Sequence, residues 1–313
     1  MSKLLVVFGA TGQQGGSIIN YVLNDPELSK QYTLRAITRD ASSPAAQKLK
    51  TQGVEIVQAD ASDIDSLKTA LAGANTVFAM TLSIYDSQLK AREVAQGKNI
   101  ADPAVSVGAQ YLIFSTLPHV TRISEGRFTH VAPFDNKAEV ELYMRSLPIK
   151  AAFFNPGAFM QNFHGALAPQ PVEDGTFVIA SSASKETQFS LLDPVADSGK
   201  YVGAILASPE MFEGIVYSLD EIVALMSKVS GKTVRYVQVE ESVLRGFLPP
   251  NGKDIYSELM LYYQDFGYFG LESKELTAWA RQYARGKLAS FEEFLKNHPL
   301  PSLEGRYNLS SIP

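Results

Sequence analysis

The chain of 313 residues contains no cysteine. That one absence excludes a disulfide framework, a zinc–thiolate centre, an iron–sulfur cluster and a cysteine nucleophile. The cytosol, with the nucleus as a second location, is the compartment expected for such a chain. An excess of basic charge is missing too. Lys and Arg total 28 against 33 Asp and Glu, a net charge of −5, whereas a nucleic-acid binder needs a basic face to neutralise phosphates. Histidines are few and scattered (His119, His130, His164 and His298), so no metal motif arises, and neither HExxH nor GxSxG occurs. Long apolar runs are also lacking. Leu4–Phe8 passes straight into glycines, well short of the ~7 apolar residues of a secretory core or the ~18 of a membrane span. Neither direct nucleic-acid contact nor a membrane partner is expected.

What is present reads as an α/β protein. Short β-branched runs at Leu4–Phe8, Thr33–Thr38, Val54–Gln58, Thr76–Met80, Tyr111–Ser115 and Lys150–Asn155 alternate with helical patterns near 12–23, 44–51, 64–71, 87–107 and 135–145. The runs are nearly continuous in apolar residues, as expected of strands covered on both faces. Strand–helix alternation predicts a Rossmann-type, doubly wound parallel sheet. After Asn155 the alternation lapses, which predicts two domains: a nucleotide-binding domain over 1–155 and a smaller mixed α/β domain over 156–313 that closes a cleft. Some of the later strands and helices are free to return to the sheet. The aromatics between Tyr256 and Trp279 read as packed helical core in preference to a ligand cage.

The sharpest motif is Gly9-Ala-Thr-Gly12-Gln-Gln-Gly15-Gly16, between the first strand and the first helix. Gly9 permits a tight turn, Gly12 lets the backbone approach a pyrophosphate, and Gly15 lets the helix pack against the strand. Helix-start amides near Gln13 and Gln14 then face the anion. A Walker loop is excluded, because Met226 stands where Gly231-Lys232-Thr233 would need its first glycine. After the second strand comes Thr38-Arg39-Asp40. A guanidinium at Arg39 suits a 2′-phosphate and favours NADP(H), while Asp40 could serve a ribose hydroxyl instead. Asp60, followed by Ala61, either meets the adenine edge or caps the next helix.

With these residues placed, the chain resembles the NmrA-like family of atypical short-chain dehydrogenase/reductases, close to its fungal nitrogen-repression regulators and its human NADP-sensing member. The resemblance rests on the Gly9–Gly16 loop, Thr38-Arg39, Gly97-Lys-Asn-Ile-Ala-Asp102, Phe114-Ser-Thr-Leu-Pro118 and Phe134-Asp-Asn-Lys137. It implies that Gly9, Thr11, Gly12, Gln13, Gln14 and Gly15 hold a pyrophosphate and Arg39 a 2′-phosphate. Met80 and Thr81 would approach the cofactor after the fourth strand, and Lys137 its nicotinamide ribose. Phe159, Met160, Gln161 and Asn162 would flank the nicotinamide.

Conventional short-chain reductases place a tyrosine four residues before the lysine, the phenol moving the proton. Here that position is Pro133, and Tyr143, six residues after Lys137, points elsewhere on a helix. Two classes of function remain. One is a redox sensor or transcriptional co-regulator acting through a protein partner such as a transcription factor. The other is a reductase of a small carbonyl, enone or quinone. In the second, Lys137, partly desolvated, would be general acid or base, Ser115 and Thr116 would polarise a carbonyl, and His164 would touch substrate. Ser115 and Thr116 could equally do no more than close the fifth strand. Lys137 could do no more than bind the ribose. The missing phenol sets the regulator slightly ahead of the reductase.

Overall fold

The computed structural model describes residues 2–165, 167–172, 175–208, 215–248 and 250–299. The tail from Pro299 to Pro313, whose sequence reads as a surface arm, lies almost wholly outside them. Six strands, β1 (Lys3–Val7), β2 (Tyr32–Thr38), β3 (Glu55–Gln58), β4 (Thr76–Ala79), β5 (Tyr111–Ser115) and β6 (Lys150–Phe154), form one sheet in the order β3-β2-β1-β4-β5-β6. Every pairing is parallel. The order reverses between β1 and β4, and the crevice beyond the carboxyl ends of strands at such a reversal is where open α/β sheets bind ligands.

Side-chain alternation along β1 builds two cores from one strand. Leu5 and Val7 join a cluster with Ile18, Ile19 and Phe154. Val6 turns to the opposite face, with Leu67, Val77, Ile100 and Val140. Local chemistry sets the helix starts. Ser43 accepts from the Ala46 amide ahead of Pro44, and Asp63 accepts from the Asp65 and Ser66 amides at the start of Ile64–Leu71. Both arrangements satisfy donors that the first helical turn leaves over. Asp63, not Asp60, is therefore the cap of that helix.

Beyond β6 the chain forms two three-stranded sheets. One pairs Gln188–Leu192 with Ala158–Phe159 and Ile215–Ser218; the other pairs Phe177–Ser181 with Gln170–Pro171 and Val234–Gln238. A third core, with Phe163, Phe189, Tyr262 and Phe291, lies beneath them. Helix Ser198–Ala207 crosses back to the six-stranded sheet, where Tyr201, Val202 and Ile205 share the cluster of Leu5 and Phe154. Glycine allows this approach. A Cβ on Gly199 would lie 2.4 Å from the Ser17 carbonyl oxygen, and one on Gly203 would lie 2.4 Å from the Tyr21 ring.

Candidate functional site

The glycine loop is folded as its spacing demands. Gly9 has φ +64°, and the Gly12 amide donates to the Gly9 carbonyl at 2.8 Å. A Cβ on Gly15 would fall 2.4 Å from that same oxygen, so only glycine lets the helix Gln13–Asn24 start this close to the turn. Its N-cap is Gly12, which offers no side chain to the first amides. An uncapped helix start carries both unpaired N–H groups and the positive end of the helix dipole.

A groove of about 510 Å³ runs from this loop across the ends of β1, β2 and β4. Gly9, Thr11, Gly12, Arg39, Asp60, Ala61, Met80 and Thr81 line it. Arg39 is exposed there and makes no hydrogen bond or ion pair among the described residues. Asp40, by contrast, is occupied: its Oδ1 accepts from the Ser42 hydroxyl at 2.6 Å and the Ser42 amide at 2.8 Å. Those bonds hold its carboxyl below the usual range. Asp60 accepts from the Ser62 amide at 2.7 Å while still facing the groove.

Through Met80 and Thr81 the groove continues into a second cavity of about 290 Å³. Gln14, Ser115, Thr116, Lys137, Phe159 and Asn162 meet there. Gln14 is buried, and its Oε1 accepts from the Ser115 hydroxyl at 2.8 Å, so the loop's own helix is tied to the end of β5. Thr116 donates to the Lys137 carbonyl at 3.4 Å. The far wall is aromatic: Tyr85, Phe134, Tyr256, Tyr263 and Tyr268. Tyr263 and Tyr268 stack with centroids 5.0 Å apart, and burial drives both phenols well above their ordinary range, which keeps them neutral. Burial, reinforced by the neighbouring Tyr256 phenol, pushes Tyr85 up to about 12. The stretch Tyr256–Trp279 is thus core and cavity wall at once: Tyr262 and Phe266 stack inside, while Tyr256, Tyr263 and Tyr268 reach the cavity. A larger depression of about 580 Å³, between residues 184–190 and 263–275, shares only Tyr263 with this cavity and gathers none of the motif residues.

Lys137 is partly desolvated but, unlike the free base that proton transfer would use, it is held in an ion pair. Its ammonium is bonded to the carboxylate of Glu93, which is wholly buried, and donates to the Ser83 hydroxyl at 2.9 Å. Without that ammonium Glu93 would be left as an unpaired buried charge, a costly state. Three further corrections concern the segment after β6. Met160 is fully buried in the C-terminal core, and the Gln161 amide donates to Asp193 Oδ1 at 2.9 Å, so neither side chain lines the cavity. The cause is a short 3-10 turn over Met160–His164, which leaves Phe159 and Asn162 on the cavity side. His164 faces away from the cavity, its ring packed on Phe294 and its Nε2 2.8 Å from the His298 carbonyl. Gln13 is exposed at the first helical position, outside both lined volumes.

Pro133 occupies the cavity wall one turn before Lys137. The Tyr143 phenol donates to Asp102 Oδ1 at 2.6 Å on the outer side. Among residues the motifs did not mark, Glu93, Ser83, Tyr85 and Tyr256 belong to the site, and so does Arg92, which lines the groove with a guanidinium nitrogen 2.7 Å from Asp86 Oδ2. Glu93 had one available signal. It falls in the stripe Leu89, Glu93, Gln96, Ile100, Ala104 that helix Leu89–Ser106 buries, and an acid at helical spacing among apolar residues is a buried charge in need of a partner.

Among the described residues no helix is long and apolar enough to cross a membrane, and no group of three His, Asp or Glu could hold a metal ion.

The profile of the NmrA-like family matches residues 1–295. An NmrA-like family domain-containing oxidoreductase of Aspergillus flavus is 31% identical over 256 residues, covering 75% of each chain. Among solved structures, NmrA, a negative transcriptional regulator, in complex with NADP superposes with a TM-score of 0.77 at 23% identity over 96% of both chains. An NADPH-dependent quinone oxidoreductase from Escherichia coli, complexed with NADPH, gives 0.72 at 21% identity, covering 94% of this chain and 99% of that one.

Proposed function

We propose that this chain, which belongs to the NmrA-like family, is an NADPH-dependent reductase of a small, conjugated carbonyl compound of the quinone or enone class. The observation that carries this function is the aromatic-walled cavity of about 290 Å³ that opens from the dinucleotide groove through Met80 and Thr81. A protein that only sensed its cofactor would need no such chamber beyond the nicotinamide end. The residues present suit the cofactor: the uncapped helix start and the Gly9–Gly15 approach fit a pyrophosphate, and unpaired Arg39 fits a 2′-phosphate. Relatives named as oxidoreductases, and a fold shared with a quinone oxidoreductase, support the same conclusion.

NADPH, when bound, supplies a hydride, and one proton from water completes the two-electron reduction. The chain's own residues bind and orient. Phe159 and Asn162 form one side of the cavity near Lys137, and flat aromatic walls favour a planar conjugated ring. Ser115 and Thr116 reach the same cavity, and the long Thr116 bond to the Lys137 carbonyl at 3.4 Å is the one a substrate carbonyl would replace to be polarised.

The regulator remains a second proposal, with a transcription factor or similar protein as partner and cytosolic or nuclear residence. The specific observation in its favour is Pro133 in the place of the proton-moving phenol. NADPH oxidation measured across quinones, enones and aldehydes separates the two. Turnover of any of them that rises with NADPH occupancy establishes the reductase. Background rates with every compound, at full cofactor occupancy, leave the sensor.

A further inference from the structure

Twenty described residues line the second cavity, and Lys137 alone among them bears a charged side chain. An isolated ammonium there would attract anions. Its partner Glu93 comes from helix Leu89–Ser106 and has no exposed surface. Four donors converge on that carboxylate: the Lys137 ammonium, the Thr81 hydroxyl at 2.9 Å, the Ser83 hydroxyl at 3.0 Å and the Asn136 amide at 3.2 Å. The Lys137 ammonium and the Asn136 amide nitrogen can only donate, one to each carboxylate oxygen, so Glu93 is the acceptor for both.

We infer that Glu93 is a specificity-determining residue: by cancelling the charge of Lys137 it makes the cavity electrically neutral, so that the site admits uncharged conjugated carbonyls and rejects their carboxylated or sulfonated counterparts. The claim rests on the proposed function, since it assumes that substrate occupies this cavity. A bound anion would find no unmatched cation and would leave its hydration for neutral aromatic walls, an unfavourable exchange. Glu93 itself sits behind the lysine and touches no substrate; it sets the preference through Lys137.

The test compares naphthoquinone with naphthoquinone sulfonate, which share one ring system and differ by an anionic group. Dissociation constants are measured by calorimetry on the cofactor-free protein, and kcat/KM under saturating NADPH. The wild type is expected to prefer the neutral quinone by about tenfold or more. Glu93→Gln unmasks the cation and should shrink that preference roughly fivefold or more. Comparing each variant with the wild type cancels the intrinsic difference in reactivity between the two quinones. An unchanged preference in folded Glu93→Gln overturns the inference.

Should Glu93→Gln fail to fold, Glu93→Leu/Lys137→Met removes both charges together, a replacement buried ion pairs often tolerate. The preference should then stay within about threefold of wild type. Weakening of sulfonate binding alone by about tenfold or more would show that the paired lysine was holding anions despite Glu93, and the inference would fall. Failure of the wild type to bind either quinone defeats the proposed function instead, a separate result.

Discussion

Gly97 and Val140 meet so closely that no methyl group fits between them. A Cβ on Gly97 would lie 2.3 Å from Val140 Cγ1, which fixes the spacing of helices Leu89–Ser106 and Ala132–Arg145. One turn away on the same two helices, Glu93 reaches Lys137. The ion pair at the site is therefore held by a contact that carries no chemistry.

Gly97→Ala should push the two helices apart. An overpacking cost of about 1–3 kcal/mol is expected, readable as a lowered midpoint in urea unfolding. Gly97→Ala/Val140→Ala should recover part of it, because the second change removes the atoms that collide. A single variant as stable as wild type would show that the helices slide freely.

Arg39→Ala should weaken NADPH by about tenfold or more while moving NADH little, because a charge-assisted contact to the 2′-phosphate is lost. Asp40→Ala should leave NADPH within about twofold, since the Asp40 carboxylate is spent on Ser42. Calorimetric titration of both coenzymes checks the pair. Equal losses of NADPH and NADH in Arg39→Ala would remove the assignment.

His164→Ala should leave kcat/KM within about twofold of wild type, because the ring lies outside the cavity. Its contacts with Phe294 and His298 should appear in stability instead, at about 1 kcal/mol. A selective fall in kcat with unchanged melting would restore His164 to the site.

Acid should loosen the junction at Asp25. Burial pushes its carboxyl up, but the Leu28 and Glu27 amides together with Arg285 outweigh burial, and the group titrates below its ordinary range. A depressed carboxyl contributes stability that is complete above the unfolded value of about 3.9 and fades as pH drops through the lower folded value. Asp25→Asn should therefore lose stability at neutral pH and show a shallower decline below about pH 4. Denaturant midpoints across that range provide the measurement, and parallel curves for the two proteins would contradict it.

Much of the sheet was legible because each of its strands is a short apolar run and each crossover has a helical period. Tyr111–Ser115, Pro44–Thr51 and Ile64–Leu71 fall where the pattern places them. The glycine loop was legible because the spacing there answers a steric need that Gly9 and Gly15 display directly. The region after Phe159 was not. A 3-10 turn rotates successive side chains differently from an extended strand, so Met160 and Gln161 leave the cavity while Asn162 stays. Nor could spacing reveal Lys137 and Glu93 as a pair, because their meeting depends on two helices separated by β5 and the short helix Val120–Ile123. The aromatic wall has the same origin: Tyr85 follows β4, whereas Tyr256 belongs to helix Lys253–Phe266.

The return of helix Ser198–Ala207 onto Gln13–Asn24 has a consequence for any attempt to dissect the molecule. Phe154 stacks on Tyr201 at 6.1 Å, and the Ser17 hydroxyl accepts from the Gly199 amide at 2.9 Å. A fragment ending near residue 155 would expose that apolar seam to water and strip the loop-bearing helix of its outer support. The half that carries the glycine loop is not a detachable cassette; amputating the later half would undo the packing of the earlier one.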